Sequence, residues 1–394
     1  MKQDIIVLNC GSSSIKFAIL NATTGDTQLS GIAESLGNDT ASLSYKVEGQ
    51  KHSISLVSGA SHEQALAEIQ KVINAQPAVP VAVGHRVVHG GETFKQAVLI
   101  DDSVKQAIAD HAVMAPLHNP ANLAGIESAQ QAFPDLPHVA VFDTAFFQSM
   151  PKHAYLYALP KSLYEEHGIR RYGFHGSSHQ FVSDKAATLL NKPLDNTNLI
   201  TAHLGNGCSV AAIRGGKAVD TSLGFTPLEG LVMGTRCGDL DPSLPGILAS
   251  MLNMSMSEVD GLLNKSSGLL GLSGLSNDCR ALEEAAENGD EDAALALHIF
   301  CYRLAKYIGA YMVVTGPLDG LVFTGGIGEN SAFIRQTTIN FLTHMGFALD
   351  QTKNLEARFG QSGDIGSGPI PILVIPTNEE WVIAKEALIL SSQA

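Results

Sequence analysis

Apolar residues run almost unbroken through Ile5-Ile6-Val7-Leu8, stop at Asn9-Cys10-Gly11-Ser12-Ser13-Ser14, and resume from Ile15 to Leu20. Short continuous apolar runs bounded by glycine and serine suit strands buried on both faces. Two so close together predict a β-hairpin with a polar tip. The plan returns midway. NLITAHL leads to Gly205-Asn206-Gly207-Cys208, SVAAIR follows, and the turn Gly215-Gly216-Lys217 leads to AVDTS. With Asp4-Ile5-Ile6 set on Asn198-Leu199-Ile200, Gly11 falls on Gly205. One extra residue in the second turn then sets Ser14-Ile15 on Ser209-Val210. Each half continues with helical and strand patterns in alternation. SVKQAIADHAVM and PANLAGIESAQQAF precede the strand HVAVFD, and one long helical run from Ala281 to Val314 precedes GLVFTGG. Such alternation predicts α/β layering, here duplicated, with a ligand cleft where the halves face each other. The chain ends ILVIPTNEEWVIAKEALIL, read as strand, turn and amphipathic helix. Trp381, Val382, Ile383, Leu388 and Ile389 are available to pack that helix on the first half. The expected domains are 1–147, joined by the helix 381–394, and 148–380.

A chain of 394 residues exceeds one ordinary core, which separately favours two domains. Composition is that of a globular protein: 45% apolar, 16% charged, with 38 glycines for tight turns. The net charge of −14 argues against nucleic acid or an anionic membrane as partner, since both require a basic surface. A small anionic substrate stays open if arginines gather locally. No apolar run reaches the ~18–20 residues of a membrane span. The opening IIVL is shorter than the ~7–15 residues of a signal-peptide core. Cys10, Cys208, Cys237, Cys279 and Cys301 are odd in number, far apart and without C-x-x-C. Neither a disulfide framework nor a zinc site is indicated, and a cytoplasmic location is expected.

The hairpin tips are candidates for chemistry. Gly11–Ser14 offers N–H and hydroxyl donors that suit phosphate oxygens, and Lys16 adds a cation. One such turn alone is better read as a surface hairpin with a polar tip, but two more loops join it. Gly205-Asn206-Gly207 repeats the tip. Thr324-Gly325-Gly326-Ile327-Gly328-Glu329-Asn330 is expected as a loop leading into the helix SAFIRQTTINFLTHM, with glycine backbone at a helix N-terminus. Neither a P-loop nor G-x-G-x-x-G occurs. Arg86 interrupts the strand-like VAVGHRVV, so it must be paired or face a cleft. Asp143 ends a strand, where α/β folds place ligand-facing residues, or it caps a turn. In Tyr172–His179, Ser177 or Ser178 is expected to cap the next helix, with His175 just ahead. The i, i+4 pairs His85/His89 and His175/His179 lack the Glu of H-E-x-x-H, which argues against zinc. Arg236 stands in the glycine-flanked loop GTRCGDLDP. Glu379 either orients Mg2+ through water or is first-turn helix charge.

In order along the chain these motifs resemble those of the acetate kinase family. Asn9–Lys16 is similar to N-x-G-S-S-S-x-K and His85–Gly91 to H-R-x-V-H-G-G. FDTAFF, YGFHGSSH, HLGNGCS, GTRCGDLDP, GGIGEN and TNEE follow, so the likeness extends from residue 5 to residue 380. The resemblance implies two duplicated ribonuclease-H-like domains of the actin, sugar-kinase and heat-shock-ATPase type around a nucleotide cleft. Residues 1–147 would bind acyl group and phosphate, and 148–380 the nucleotide. It implies reversible, direct in-line phosphoryl transfer from ATP to acetate, giving acetyl phosphate and ADP. Mg2+ would assist, with Mn2+ as a substitute, in a homodimer. By the same resemblance Arg86 holds the acyl carboxylate and then the phosphoryl group, while Arg236 and His175 neutralise that group. Asp143 positions acceptor or metal, and Asn9 and Glu379 locate Mg2+. Lys16, His203-Leu204-Gly205-Asn206-Gly207, Asp278-Cys279-Arg280 and Gly326-Ile327-Gly328-Glu329-Asn330 line ATP. Val88, Leu117, Phe174 and Pro227 form a small apolar acid pocket. Three other readings share the fold: a kinase for propionate or another short acid, an ATP-driven binding protein that hydrolyses ATP without acyl transfer, and a polyphosphatase-like hydrolase that uses water.

Overall fold

The computed structural model describes residues 3–116 and 118–393. The chain divides into two units, Met1–Phe146 with Asn378–Ala394, and Phe147–Thr377.

In the first unit the strands are β1 (Asp4–Cys10), β2 (Ile15–Asn21), β3 (Thr27–Glu34), β4 (Ser42–Val47), β5 (Gln50–Ser55), β6 (Ala82–Val87), β7 (Val98–Leu99) and β8 (His138–Phe142). Among the described residues they form one sheet in the order β5-β4-β3-β2-β1-β6-β8-β7. The hairpin pairs Asp4 with Asn21 through to Cys10 with Ile15, and β1 also runs parallel to β6. One face of the hairpin buries Ile6, Leu8, Ile15 and Phe17 with the helix His62–Asn74. The other buries Ile5, Val7, Ala18 and Leu20 with Ile383, Ala384 and Ala387 of the terminal helix Glu379–Ser391. Burial on both faces is why these strands read as continuous apolar runs and do not alternate.

The terminal helix starts where the Asn378 side chain accepts from the Trp381 N–H at 3.0 Å. It then lies very close to β6. A Cβ on Gly84 would fall 2.6 Å from Ile383 Cγ2, so this contact requires glycine. Ile389, expected to pack, is 52% exposed; Ile383, Ala384 and Ala387 take the inward face, and Val382 is buried as expected.

The second unit holds β9 (Asn198–Leu204), β10 (Cys208–Arg214), β11 (Lys217–Thr221), β12 (Gly320–Thr324), β13 (Gly363–Asp364) and β14 (Ile372–Val374), in the order β11-β10-β9-β12-β14-β13. Five strands repeat the first unit's core. β3-β2-β1-β6-β8 becomes β11-β10-β9-β12-β14, with the same antiparallel hairpins and the same parallel additions. The turns differ from expectation. Leu204 pairs with Cys208 while Cys10 pairs with Ile15, so the second turn is one residue shorter, not longer, and Ile15 falls on Cys208. The following turn has Gly215 at φ 54° and Gly216 at φ 72°, the positive values that a two-residue hairpin of the favoured twist demands.

Three further expectations are corrected. The long helical run is two helices, Cys279–Glu287 and Glu291–Thr315, because Gly289 adopts φ 94° and Asp290 caps the second. Gly325–Asn330 is itself one short helix, not a loop, and the next runs Ala332–Asn340. Neither Ser177 nor Ser178 caps the helix Gly176–Leu189; both lie inside its first turn, and His175 holds the cap position at φ 60°. Among the described residues no helix is long and apolar enough to cross a membrane.

Candidate active site

In the first unit, Arg86 stands next to the end of β6, level with Val141 on the parallel strand β8. Two residues beyond Val141 comes Asp143, whose side chain is 1% exposed. The guanidinium meets it in a two-pronged pair, Nε to Oδ1 at 3.0 Å and Nη2 to Oδ2 at 2.5 Å. Nη1 reaches Asn9 Oδ1 at 3.4 Å, and Nε lies 4.0 Å from Glu379 Oε2. Four segments thus bring Arg86, Asp143, Asn9 and Glu379 together. Burial alone would weaken the guanidinium's hold on its proton. Asp143 first and Glu379 second outweigh it, so Arg86 titrates above its ordinary range and stays charged.

The motif around Arg86 is held by neutral side chains that the sequence did not single out. The Val88 N–H donates to Asn122 Oδ1 at 3.0 Å, and Asn122 Nδ2 donates to the Cys10 carbonyl at 2.7 Å. Asn119 accepts from the His89 N–H and donates to its carbonyl. The Gly90 N–H donates to Thr144 Oγ1. The available signal was the N-P-A-N opening of the helix Asn119–Ala132. Val88 is 7% exposed. Lys16 pairs with Asn9 across the hairpin. Its charge opposes the burial that raises the Glu380 carboxyl. Leu117 lies outside the described residues.

In the second unit, the Gly205–Gly207 tip closes with the Gly205 N–H donating to the Gly207 carbonyl at 3.1 Å. A Cβ on Gly207 would lie 3.3 Å from Arg236 Nη1 and 3.5 Å from His175 Nε2. Glycine therefore leaves one point against which both nitrogens converge. Arg236 Nη1 donates to the Pro227 carbonyl at 3.3 Å and touches Met233 Sδ. Among the described residues no carboxylate pairs with it, and burial pulls its pKa below the ordinary guanidinium value. A half-buried cation of this kind is electrostatically unfinished and favours an anion.

His175 is set by a chain of polar contacts. Its Nδ1 and the Nε2 of His179 share Ser209 Oγ, at 2.9 and 2.8 Å. His179 Nδ1 meets Thr201 Oγ1 at 2.6 Å. Burial first, and the His203 ring second, hold His179 well below the ordinary histidine range, so it stays neutral. The ring of His203 lies 4.4 Å from that of His175, and its Nδ1 meets Ser178 Oγ at 2.7 Å. Sequence reasoning missed Ser209, Thr201 and Ser178 as partners because hydroxyls in strands and helices carry no distinguishing pattern. Phe174 is buried directly ahead of His175.

A cavity of about 750 Å3 opens in the same unit. Gly205, Asn206, Asp278, Cys279, Arg280, Gly326, Ile327 and Asn330 line it, so three separately predicted stretches meet there. Asp278 accepts from the Arg280 N–H and pairs with its guanidinium, capping the helix that begins at Cys279. Burial drives the Cys279 thiol up, and it contacts Glu283. Glu329 turns inward instead, accepting from the N–H groups of Gly325 and Thr377 and so bracing the turn. Gly328 packs against Leu204.

A model of the acetokinase family matches residues 4–385. The chain belongs to the acetokinase family. It is 57% identical over 389 residues to the acetate kinase of Shewanella amazonensis, spanning 98% of each chain. Among solved structures it is similar to a propionate kinase from Francisella tularensis, with TM-score 0.94, 45% identity and coverage of 99% of this chain and 100% of that one. It is similar also to the acetate kinase of Porphyromonas gingivalis, with TM-score 0.92, 42% identity and coverage of 98% and 99%. The likeness and the repeated strand order give the duplicated ribonuclease-H-like fold of the actin and sugar-kinase type. Members of the acetokinase family are phosphotransferases, and the groups just described are the ones such chemistry needs: a guanidinium held by Asp143, a second with no carboxylate partner among the described residues, imidazole, and a glycine-walled cavity.

Proposed function

We propose that the chain transfers the γ-phosphoryl group of ATP to acetate, forming acetyl phosphate and ADP in a reversible in-line displacement. The observation that carries this is the convergence of Arg236 Nη1 and His175 Nε2 at Gly207, with no carboxylate among the described residues to neutralise the guanidinium. In the step, one acetate oxygen bonds to the γ-phosphorus as the bond to the β,γ-bridging oxygen breaks, and ADP leaves. No proton need move, because a carboxylate with pKa near ~4 is already ionised at neutral pH. Asp143 is therefore a holder of Arg86 and not a base. Arg86 binds the acetate carboxylate, and Arg236 with His175 balances charge on the phosphoryl oxygens. The cavity lined by Asn206, Asp278 and Gly326 takes the nucleotide. Phosphoryl transfer depends on such positioning and positive charge.

Asn9 and Glu379 would hold Mg2+ through one amide and one carboxylate oxygen beside Arg86, the hard donors that suit that cation. Among the described residues no group of three or more His, Cys, Asp or Glu is arranged as a metal cage. When bound, Mg2+ would screen the β- and γ-phosphate charge.

The test is a hydroxylamine trap of acyl phosphate from ATP, Mg2+ and a panel of short acids. Acetate should give the highest kcat/KM; a higher value for propionate or butyrate would move the acceptor to that acid. One methylene shifts discrimination by only ~1–3 kcal/mol, so propionate should be a weaker substrate and not an excluded one. Val88→Ala should raise the propionate-to-acetate ratio of kcat/KM several-fold, whereas an unchanged ratio would remove Val88 from the acid pocket.

A homodimer completes the reading. The helix Leu244–Leu252 is apolar yet buries no residue within its own chain, leaving Ile247, Met251 and Leu252 exposed. Sedimentation should give twice the chain mass of 41.6 kDa, and a monomer at micromolar concentration would remove this part.

A further inference from the structure

One wall of the nucleotide cavity comes from none of the family-like motifs. It is the turn Ala357–Gly360, which places Arg358 and Phe359 in the lining. Phe359 is 87% exposed, an unusual place for a phenyl ring. Its backbone sits at φ 53°, a left-handed conformation that side chains with a Cβ resist.

The fold enforces that conformation. The Phe359 N–H donates to Asn330 Oδ1 at 2.9 Å, and Asn330 Nδ2 donates to the Gly326 carbonyl at 2.9 Å. Beneath them Arg335 is fully buried and ties both sides together. Its Nη1 donates to the Gly328 and Glu329 carbonyls, and its Nη2 to those of Asn354 and Ala357. The aromatic turn is thus fastened to the glycine turn, and the ring is held at the cavity wall in water. Beside it, the Nε–H of Arg358 is a buried donor with no partner among the described residues. A ring left exposed while its strained backbone is pinned, in the wall of a cavity lined by Asn206, Asp278 and Gly326, points to a ligand that stacks on it.

We propose that Phe359 is the nucleobase platform of this site, with the base stacked on its exposed face and the Arg358 side chain beside it in the same wall. The assignment rests on the nucleotide reading of the cavity. Stacking on an aromatic side chain contributes enough that its removal weakens binding by about tenfold.

Calorimetry with ADP, and inhibition by inorganic pyrophosphate as a probe with no base, test this on the full chain. Phe359→Ala should weaken ADP about tenfold and leave pyrophosphate inhibition unchanged. Phe359→Trp should retain ADP affinity, and its indole emission should be quenched by ADP and not by pyrophosphate. Gly326→Leu is the control. A Cβ there meets nothing within 4 Å, so a larger side chain grows into the open wall and should weaken ADP if nucleotide binds here. If Gly326→Leu loses ADP but Phe359→Ala does not, the platform is wrong and the nucleotide cavity stands. If neither loses it, both are wrong. Equal loss of ADP and pyrophosphate in Phe359→Ala would also overturn the platform, since the effect would then lie on the phosphates.

Discussion

Arg236→Ala lowers kcat by about 10³-fold or more, while affinity for ADP changes little and the protein remains as stable as the parent. The magnitude follows from arginines that neutralise a transferring phosphoryl group, whose removal costs ~10³–10⁵ in rate. Each tenfold is ~1.4 kcal/mol of barrier, so the side chain is asked to supply about 4 kcal/mol or more. The unchanged stability follows from its surroundings. Arg236 has no carboxylate partner among the described residues, and burial already works against its charge. Truncation therefore strands no opposite charge. It removes only a carbonyl contact to Pro227 and a sulfur contact to Met233. Steady-state kinetics beside thermal unfolding check both halves. A loss of tenfold or less would take Arg236 out of the chemistry, and a large fall in Tm would make its role structural.

Arg86→Ala behaves differently. It should lower kcat/KM for acetate by about 10²–10³-fold and also destabilise the first unit by about 3 kcal/mol or more. The partner left behind is Asp143, whose side chain is 1% exposed and is held by two nitrogens of the guanidinium. Breaking a buried pair from one side costs ~3–5 kcal/mol, because a charge is left in poor solvent. Glu379 at 4.0 Å adds a second unbalanced carboxylate. Arg86→Lys separates the two effects. It keeps the charge and so recovers much of the stability, yet it cannot reproduce the fork and should stay poor in acetate turnover. Urea unfolding and acetate kinetics on both variants decide. Full stability in Arg86→Ala would contradict the structural half, and full activity in Arg86→Lys the catalytic half.

Much of the framework was legible because burial on both faces writes itself as unbroken apolar runs, first in β1 and β2 and again in β9 and β10. An arginine inside such a run had to be paired or face a ligand, and Arg86 is paired. What could not be read is what depends on distance in three dimensions. Nothing local joins Asp143 to a residue 57 positions earlier, or the Asn122 amide to Cys10. Turn lengths were misjudged because one residue more or less leaves the apolar pattern intact. The helical turn at Gly325–Asn330 was hidden for another reason. Its glycines oppose helix formation locally, and Glu329 overrides them by accepting from Gly325 and from Thr377. Phe359 was passed over because an exposed ring matters only once its backbone and its neighbours are known.

The stoichiometry of one turnover experiment reaches the centre of the account. With ATP, Mg2+ and acetate, purified protein should form ADP and acetyl phosphate in equal amounts, with negligible ADP when acetate is omitted. ADP accumulating with free phosphate, at a rate indifferent to acetate, would mean that water is the acceptor and that the acyl phosphotransfer described here is wrong.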